Sequence, residues 1–338
     1  MINARLKLGN PHVSGPYALA NLHILSRRYP DISIRGHANP DNASCHLLQN
    51  TKCETQPDVK IVLKIMSLSL NGVALVTGAG SSIGRQCALG YATEGVRGIL
   101  LADLDYATAL DAAQESETVA TNPAFTAAAI RVDVTDMASV ADMINAAMRK
   151  FGRVDYYVHC IGMAVATTEQ AEIDRVWEAN ARGTFQCIHA VTSLMEKQPV
   201  GGYKWRGQVR EAGRGTIITV GAPNSLLYGQ TTREEYGILP LVQNAALEHA
   251  VHGIRVNAVC PGLVETRTGP GLDANLDPDI IRNLLPMSRT AQPEEIADIV
   301  LFLSSPRASY VTGAAWAVDG GMALQIQRAS KTAAREHG

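Results

Sequence analysis

The chain has 338 residues, 46% of them apolar, and 30 lysines and arginines against 32 acids for a formal net charge of −2. It is long enough to bury one large core, and its even charge offers no electrostatic footprint to nucleic acid or an anionic membrane. No apolar run approaches the ~20 residues that span a bilayer, and the six cysteines (Cys45, Cys53, Cys87, Cys160, Cys187, Cys260) form neither a CxxC pair nor a zinc spacing, so they read as buried, reduced thiols of a cytoplasmic protein with no metal site.

Residues 1–65 mix Pro, His, Asn and Cys without sustained periodicity, and no acid precedes Asp31. They contain no amphipathic arginine-rich helix of the kind that targets organelles. They are read as a poorly structured extension, translated from an upstream start, ahead of a domain that runs from Met66 to about residue 325 and is followed by a tail, 326–338. From residue 72, short apolar runs alternate with segments of helical period, which predicts βαβ units on a parallel sheet. VALVT (73–77) is the first strand and IGRQCALGYATEG the helix after it. RGILLAD (97–103), AAIRVD (128–133) and DYYVHC (155–160) are the next three strands. MASVADMINAAMRKFG (137–152) is a helix with Val140, Met143, Ile144 and Met148 on one face. KQPVGGYKWRGQVREAGRG (197–215), rich in Gly and Arg, is expected to be a surface loop. TIITV (216–220), IRVNAVC (254–260) and WAVDGG near residue 320 complete the strands. The expected fold is a doubly wound, Rossmann-type α/β domain.

TGAGSSIG (77–84) follows the first strand and opens the first helix, the context a dinucleotide loop requires. Gly78 permits the tight turn, Gly80 adds freedom and Gly84 allows close packing of helix on sheet. Ser82 and Ile83 stand where backbone N–H groups face a pyrophosphate. Asp103, at the end of the second strand, offers a carboxylate to both ribose hydroxyls and repels a 2′-phosphate. With neutral Leu104 beside it and no basic residue in the loop, NAD is favoured over NADP. The alternative for Asp103 is an ordinary helix cap.

These residues resemble the short-chain dehydrogenase/reductase (SDR) family over about residues 70–322. TGAGSSIG is similar to the family's TGxxxGxG, with Ser82 where the middle glycine is usual. VDV (132–134) matches the segment that approaches the adenine, here Asp133 and Val134. NARGTF (180–185) matches the motif around the family's structural and proton-relay asparagine, here Asn180. IRVNAVCPG (254–262) with Thr266 looks like the segment whose proline, glycine and threonine lie against the nicotinamide, here Pro261, Gly262 and Thr266. HCIG (159–162) replaces NNAG and brings Gly162 to the cofactor's border. The resemblance implies an NAD(P)-dependent oxidoreductase acting on a ketone/alcohol pair of a small molecule, assembled as a homodimer or homotetramer through the helix after the catalytic tyrosine and the one before it.

The pattern fails at the proton donor. Such a reaction couples hydride transfer to proton transfer at the substrate oxygen, which the family achieves with a serine, a tyrosine and a lysine four residues on. Counting back from Gly253 puts the tyrosine position at Thr231 and the lysine position at Glu235, and counting from TIITVGAPNS puts the serine at Ala222 or Gly221. No lysine occurs between Lys204 and Lys331, so no shift of register restores the pair. Tyr228, Tyr236 and Glu235 remain as candidate acid/base groups, beside Asn180. Pro240 would interrupt the family's helix, so the helix here is expected to start near Leu239, with 229–237 as a loop. His159 is read as a structural histidine, its alternative role being a base. GQTTREEYGILP (229–240) therefore marks either a degenerate SDR serving as a binding protein or a non-redox isomerase or cyclase, or a misplaced exon boundary. The stretch after Pro261 that would select the substrate carries no diagnostic charge.

Overall fold

The structure is a computed structural model describing residues 68, 70–162, 169–205, 208–221, 238–265 and 278–324. Seven strands form a parallel sheet in the order β3-β2-β1-β4-β7-β8-β9: β1 Val73–Thr77, β2 Gly98–Asp103, β3 Thr126–Arg131, β4 Tyr156–His159, β7 Gly215–Val220, β8 Ile254–Pro261 and β9 Ala315–Val318. The inner strands are buried along their whole length, because helices cover both faces. Successive side chains therefore enter different cores. Ala74 and Val76 join one with Tyr91, Ala109 and Val300, while Leu75 joins the other with Met143, Val191 and Val242. The first core is closed by α1 Ser82–Thr93, α2 Tyr106–Val119 and α8 Pro293–Ser304. The second is closed by α3 Met137–Phe151, α5 Thr184–Met195 and α6 Ile238–His249. Two short helices, α4 Gln170–Trp177 and α7 Pro278–Leu284, lie outside these layers.

The strand order makes the chain step outward from β1 through β2 to β3 and then return to β4 on the other side of β1. The carboxyl ends of β1 and β4 thus flank a topological switch point, where open α/β sheets bind ligands. At the far side the RVN motif fastens β8 to its neighbours. Asn257 donates to Val311 O (2.9 Å) and accepts from Ala314 N (3.1 Å), holding the lead into β9.

Three expectations are corrected. β3 spans 126–131 rather than 128–133, because Val132 N donates to Asp103 O (2.8 Å) and the Asp133 carboxylate caps its own turn by accepting from Thr135 N and Oγ1. On α3 the buried face is Val140, Met143 and Ala147. Ile144 packs at its margin and Met148 is 36% exposed, because the helical repeat brings residue 147, seven beyond Val140, back to the buried face and turns 148 away from it. Residues 197–215 are not a plain loop: β5 Gly201–Trp205 pairs antiparallel with β6 Gln208–Gly213, with a bulge at Gly201/Gly202. The glycines there serve backbone contact. Gly213 has φ +82°, its Cβ would meet Gly253 O at 2.2 Å, and Arg214 N donates to that carbonyl at 2.7 Å. α6 begins within a residue of its expected start and places Pro240 in the first turn, where its missing N–H has no intrahelical acceptor to lose.

Candidate cofactor and active site

The glycine-rich loop leaves β1 at Gly78, whose φ is +69° and whose Cβ would meet Cys160 O at 2.3 Å. Only glycine fits between the ends of β1 and β4. Ser81 then caps α1, its Oγ accepting from Gly84 N (3.1 Å) and donating to Gly78 O (2.7 Å). The sequence reading missed this cap, although a serine just ahead of a helical run is the ordinary signal for one. Gly84 packs so closely that a Cβ would meet Gly78 O at 2.1 Å. Gly80 is required for a different reason than expected. It is not backbone freedom but contact, since a Cβ would meet Thr108 Oγ1 at 2.1 Å. Ile83, second in α1, has an N–H with no intrahelical acceptor.

Asp103 stands beside this loop. Its Oδ2 accepts from Gly80 N (2.9 Å) and its Oδ1 from Asp105 N (3.1 Å). The cap of α2 is Asp105, which accepts from Ala107 N (2.9 Å), so the helix-cap alternative for Asp103 is set aside. Each carboxylate oxygen keeps a second lone pair as a further acceptor. Asp133, whose pKa is lowered by its bonds to Thr135, fixes the next turn. Val134 is buried against Gly183, where a Cβ would meet Val134 Cγ2 at 2.8 Å. Gly162 is exposed, and a Cβ there would meet nothing within 4 Å among the described residues. Pro261 ends β8 and Gly262 N donates to Val318 O (3.0 Å), pressed so close to Asp319 that a Cβ would meet its Cα at 2.8 Å.

Asn180 lies in a π-helical turn, Glu178–Gly183, between α4 and α5, and is 1% exposed. No sequence signal announced that turn, which widens the helix at the position where a relay group is expected. Beneath the switch point His159 is 1% exposed, with Nδ1 2.9 Å from both Thr77 Oγ1 and Tyr157 Oη, and Nε2 3.0 Å from Thr184 Oγ1. Thr184 donates its own proton to Asn180 O (2.5 Å), so Nε2–H donates to Thr184 and Nδ1 accepts. Burial pushes the His159 pKa down to about 4. The imidazole is neutral, enclosed and fully engaged, which suits a structural strut and not a base. It ties β1, β4 and the Asn180 turn together. Tyr157, its neighbour, is driven well above an ordinary phenol by burial.

Gly221 follows β7 with its N–H on Val259 O (2.9 Å), and a Cβ there would meet nothing nearer than Ile238 Cγ2 at 3.7 Å among the described residues. Two residues earlier Thr219 Oγ1 is buried with no hydrogen-bond partner among the described residues. Ala222, Tyr228, Thr231, Glu235, Tyr236 and Thr266 lie outside the described residues. The loop, Asp103, Asp133, Gly162, Asn180 and Pro261–Gly262 come from six separate segments, and all lie at or just after the carboxyl ends of strands except Asn180.

Over residues 78–323 the chain matches the family model described as enoyl-(acyl carrier protein) reductase. It is 46% identical over 274 residues to the short-chain dehydrogenase anuF of Penicillium roqueforti, covering 78% of this chain and 99% of that protein. It is 37% identical over 272 residues to the short-chain dehydrogenase fogB of Aspergillus ruber, covering 76% and 98%. A solved short-chain type dehydrogenase/reductase from Mycobacterium marinum superposes with a TM-score of 0.64 at 27% identity, over 77% of this chain and 98% of that one.

Proposed function

Because the chain belongs to the short-chain dehydrogenase/reductase family, we propose that it binds NAD in preference to NADP and carries out oxidoreduction of a ketone/alcohol pair on a small molecule. The observation that carries the choice of NAD is the Asp103 carboxylate fastened to the loop glycine Gly80, with neutral Leu104 next in sequence. A 2′-phosphate there would meet a fixed negative charge. The nicotinamide, when bound, supplies or accepts the hydride. This chain's residues do the rest. Gly78, Gly80 and Gly84 shape the phosphate cradle, Asp103 holds the ribose, and Val134 and Gly162 border the ring systems.

The reaction also moves a proton at the substrate oxygen. Without a tyrosine at 231, a lysine at 235 or a serine at 222, that proton comes from Tyr228, Tyr236 or Glu235, with Asn180 in the relay, and carbonyl reduction is slow. Titrating the protein with NADH and with NADPH by fluorescence tests the binding half. Equal affinity for both removes the role given to Asp103, and no quenching with either removes the reading. Thr231→Tyr combined with Glu235→Lys and Ala222→Ser tests the chemical half. Ketone reduction that rises at least ~100-fold, the range a positioned acid/base contributes, supports it, and an unmodified chain already turning over like an ordinary enzyme overturns it.

The same reading assigns a homodimer or homotetramer. Supporting it, α5, α6 and the turn after α6 carry apolar side chains in solvent: Phe185 is 54% exposed, Leu247 79% and Val251 83%. Sedimentation of the protein and of Leu247→Asp should show an assembly that the substitution dissociates.

A further inference from the structure

We propose that a cleft at the amino ends of β1, β4, β7 and β8 binds a small, multiply charged anion bearing phosphate or carboxylate groups. It lies at the end of the sheet opposite the dinucleotide loop, and the β5–β6 hairpin forms one wall. Its volume of about 300 Å³ is of the size that holds a compact ligand.

The charge of the lining is lopsided. Among the described residues Arg97, Arg153, Arg214 and Arg255 all contribute to it, against the single carboxylate of Asp155. That carboxylate is already engaged, by Arg153 through Nε (2.9 Å) and Nη2 (2.5 Å) and by Val73 N (2.8 Å). Among the described residues none of Arg97, Arg214 and Arg255 forms an ion pair. Arg255 is the deepest. Its guanidinium donates only to neutral oxygens, Leu303 O (2.7 Å), Thr216 Oγ1 (3.0 Å), Val311 O (3.1 Å) and, at longer range, Ser304 O and Ser305 O. Burial lowers its pKa to about 10. Arg214 donates to Gln198 O (3.0 Å) and His252 O (2.7 Å), and Arg97 to Phe151 O (3.1 Å). These bonds aim the guanidiniums without neutralising them.

Three positive charges in excess, gathered in one concavity of a chain whose net charge is −2, repel one another, and the deepest, Arg255, is also largely stripped of water. A bound anion removes both penalties, and each guanidinium retains N–H donors for it. The hairpin wall carries little side-chain bulk: Gly201, Gly202 and Gly213 line it, with the methyl group of Ala212. Gly202 has nothing within 3.6 Å of a Cβ position, and Gly213 needs its positive φ to seat the hairpin on Gly253. A glycine wall facing an arginine floor is open and electropositive, which is what a compact anion needs and a neutral ligand does not.

The test is calorimetric titration of the full-length protein with inorganic pyrophosphate at ionic strength held constant with NaCl, with and without saturating NADH, since the dinucleotide loop also accepts pyrophosphate. The expected result is a binding event that persists under NADH. It weakens about tenfold in Arg97→Gln and further in Arg97→Gln/Arg214→Gln, one charge-assisted contact being removed at a time, while the NADH affinity of the variants stays unchanged. Arg97 is exposed and holds only one carbonyl, so Arg97→Gln gives an answer even if the double variant does not fold. No heat at millimolar pyrophosphate, binding that NADH abolishes, or binding that Arg97→Gln leaves intact overturns the proposal.

Discussion

The enclosed imidazole of His159 makes the stability of this protein depend on pH between its folded and unfolded titration points. In the unfolded chain a histidine titrates near 6.5, and in the folded protein burial holds His159 at about 4. Between those values the unfolded state binds the proton and the folded state does not, so stability falls as pH falls. Full expression of that gap amounts to about 3 kcal/mol. Between pH 7 and pH 5 the linkage relation gives about 2 kcal/mol. Carboxylates with lowered values, Asp133 and Glu295, the latter held at about 2 by Arg289, lose their contribution at lower pH and do so equally in a variant. The assay is urea unfolding at pH 7 and pH 5 of the natural protein and of His159→Asn. The variant should start roughly 2 kcal/mol less stable at pH 7, having lost the ring and its bond to Thr184. The natural protein should then lose about 2 kcal/mol more than the variant on going to pH 5. Parallel losses in the two proteins would show that His159 titrates as in water, and would remove the strut that ties Thr77, Tyr157 and Thr184 together.

Gly84→Ala places a methyl group 2.1 Å from Gly78 O, a backbone atom that cannot swing aside. The dinucleotide loop should open, with NADH affinity reduced at least tenfold and the thermal midpoint lowered by an overpacking cost of roughly 1–3 kcal/mol. Asp103→Ser removes the carboxylate that accepts from Gly80 N; the ratio of NADPH to NADH dissociation constants should fall about tenfold or more, and an unchanged ratio would mean that Asp103 does not read the ribose. Tyr91→Phe deletes a buried hydroxyl bonded to Ser304 Oγ at 2.6 Å. Ser304 keeps its own acceptor, Val300 O, so chemical denaturation should show a loss of only about 1 kcal/mol.

Much of this protein is legible along the chain because the relevant physics is local. VALVT is buried on both faces and therefore apolar throughout, TGAGSSIG must turn tightly into a helix, and a proline at 240 can stand only in a first turn. Each of these constraints acts within a few residues, and each reads directly from residue type and spacing. Residues 197–215 read wrongly as a loop because their glycines suggest flexibility. They are in fact needed where two backbones touch, and the partner, Gly253, lies 40 residues further on. Likewise α3 buries Ala147 in preference to Met148, since the residue's angle on the docked helix, not hydrophobicity alone, decides which side chain faces the sheet.

By itself the sequence determined the strands of the parallel sheet and the main helices between them, the glycine-rich loop with an acid at the end of the next strand, and the absence of the tyrosine, lysine and serine from their expected places. Tertiary structure alone decided that Gly80 is forced by Thr108, that Asp103 is bonded to the loop, that His159 is a neutral strut under the switch point, and that four arginines spread over more than 150 positions converge on one cleft. The physical reason is that charge and close contact act through space. Residues far apart in the chain become neighbours only when the sheet is assembled, and no local pattern records which of them will meet.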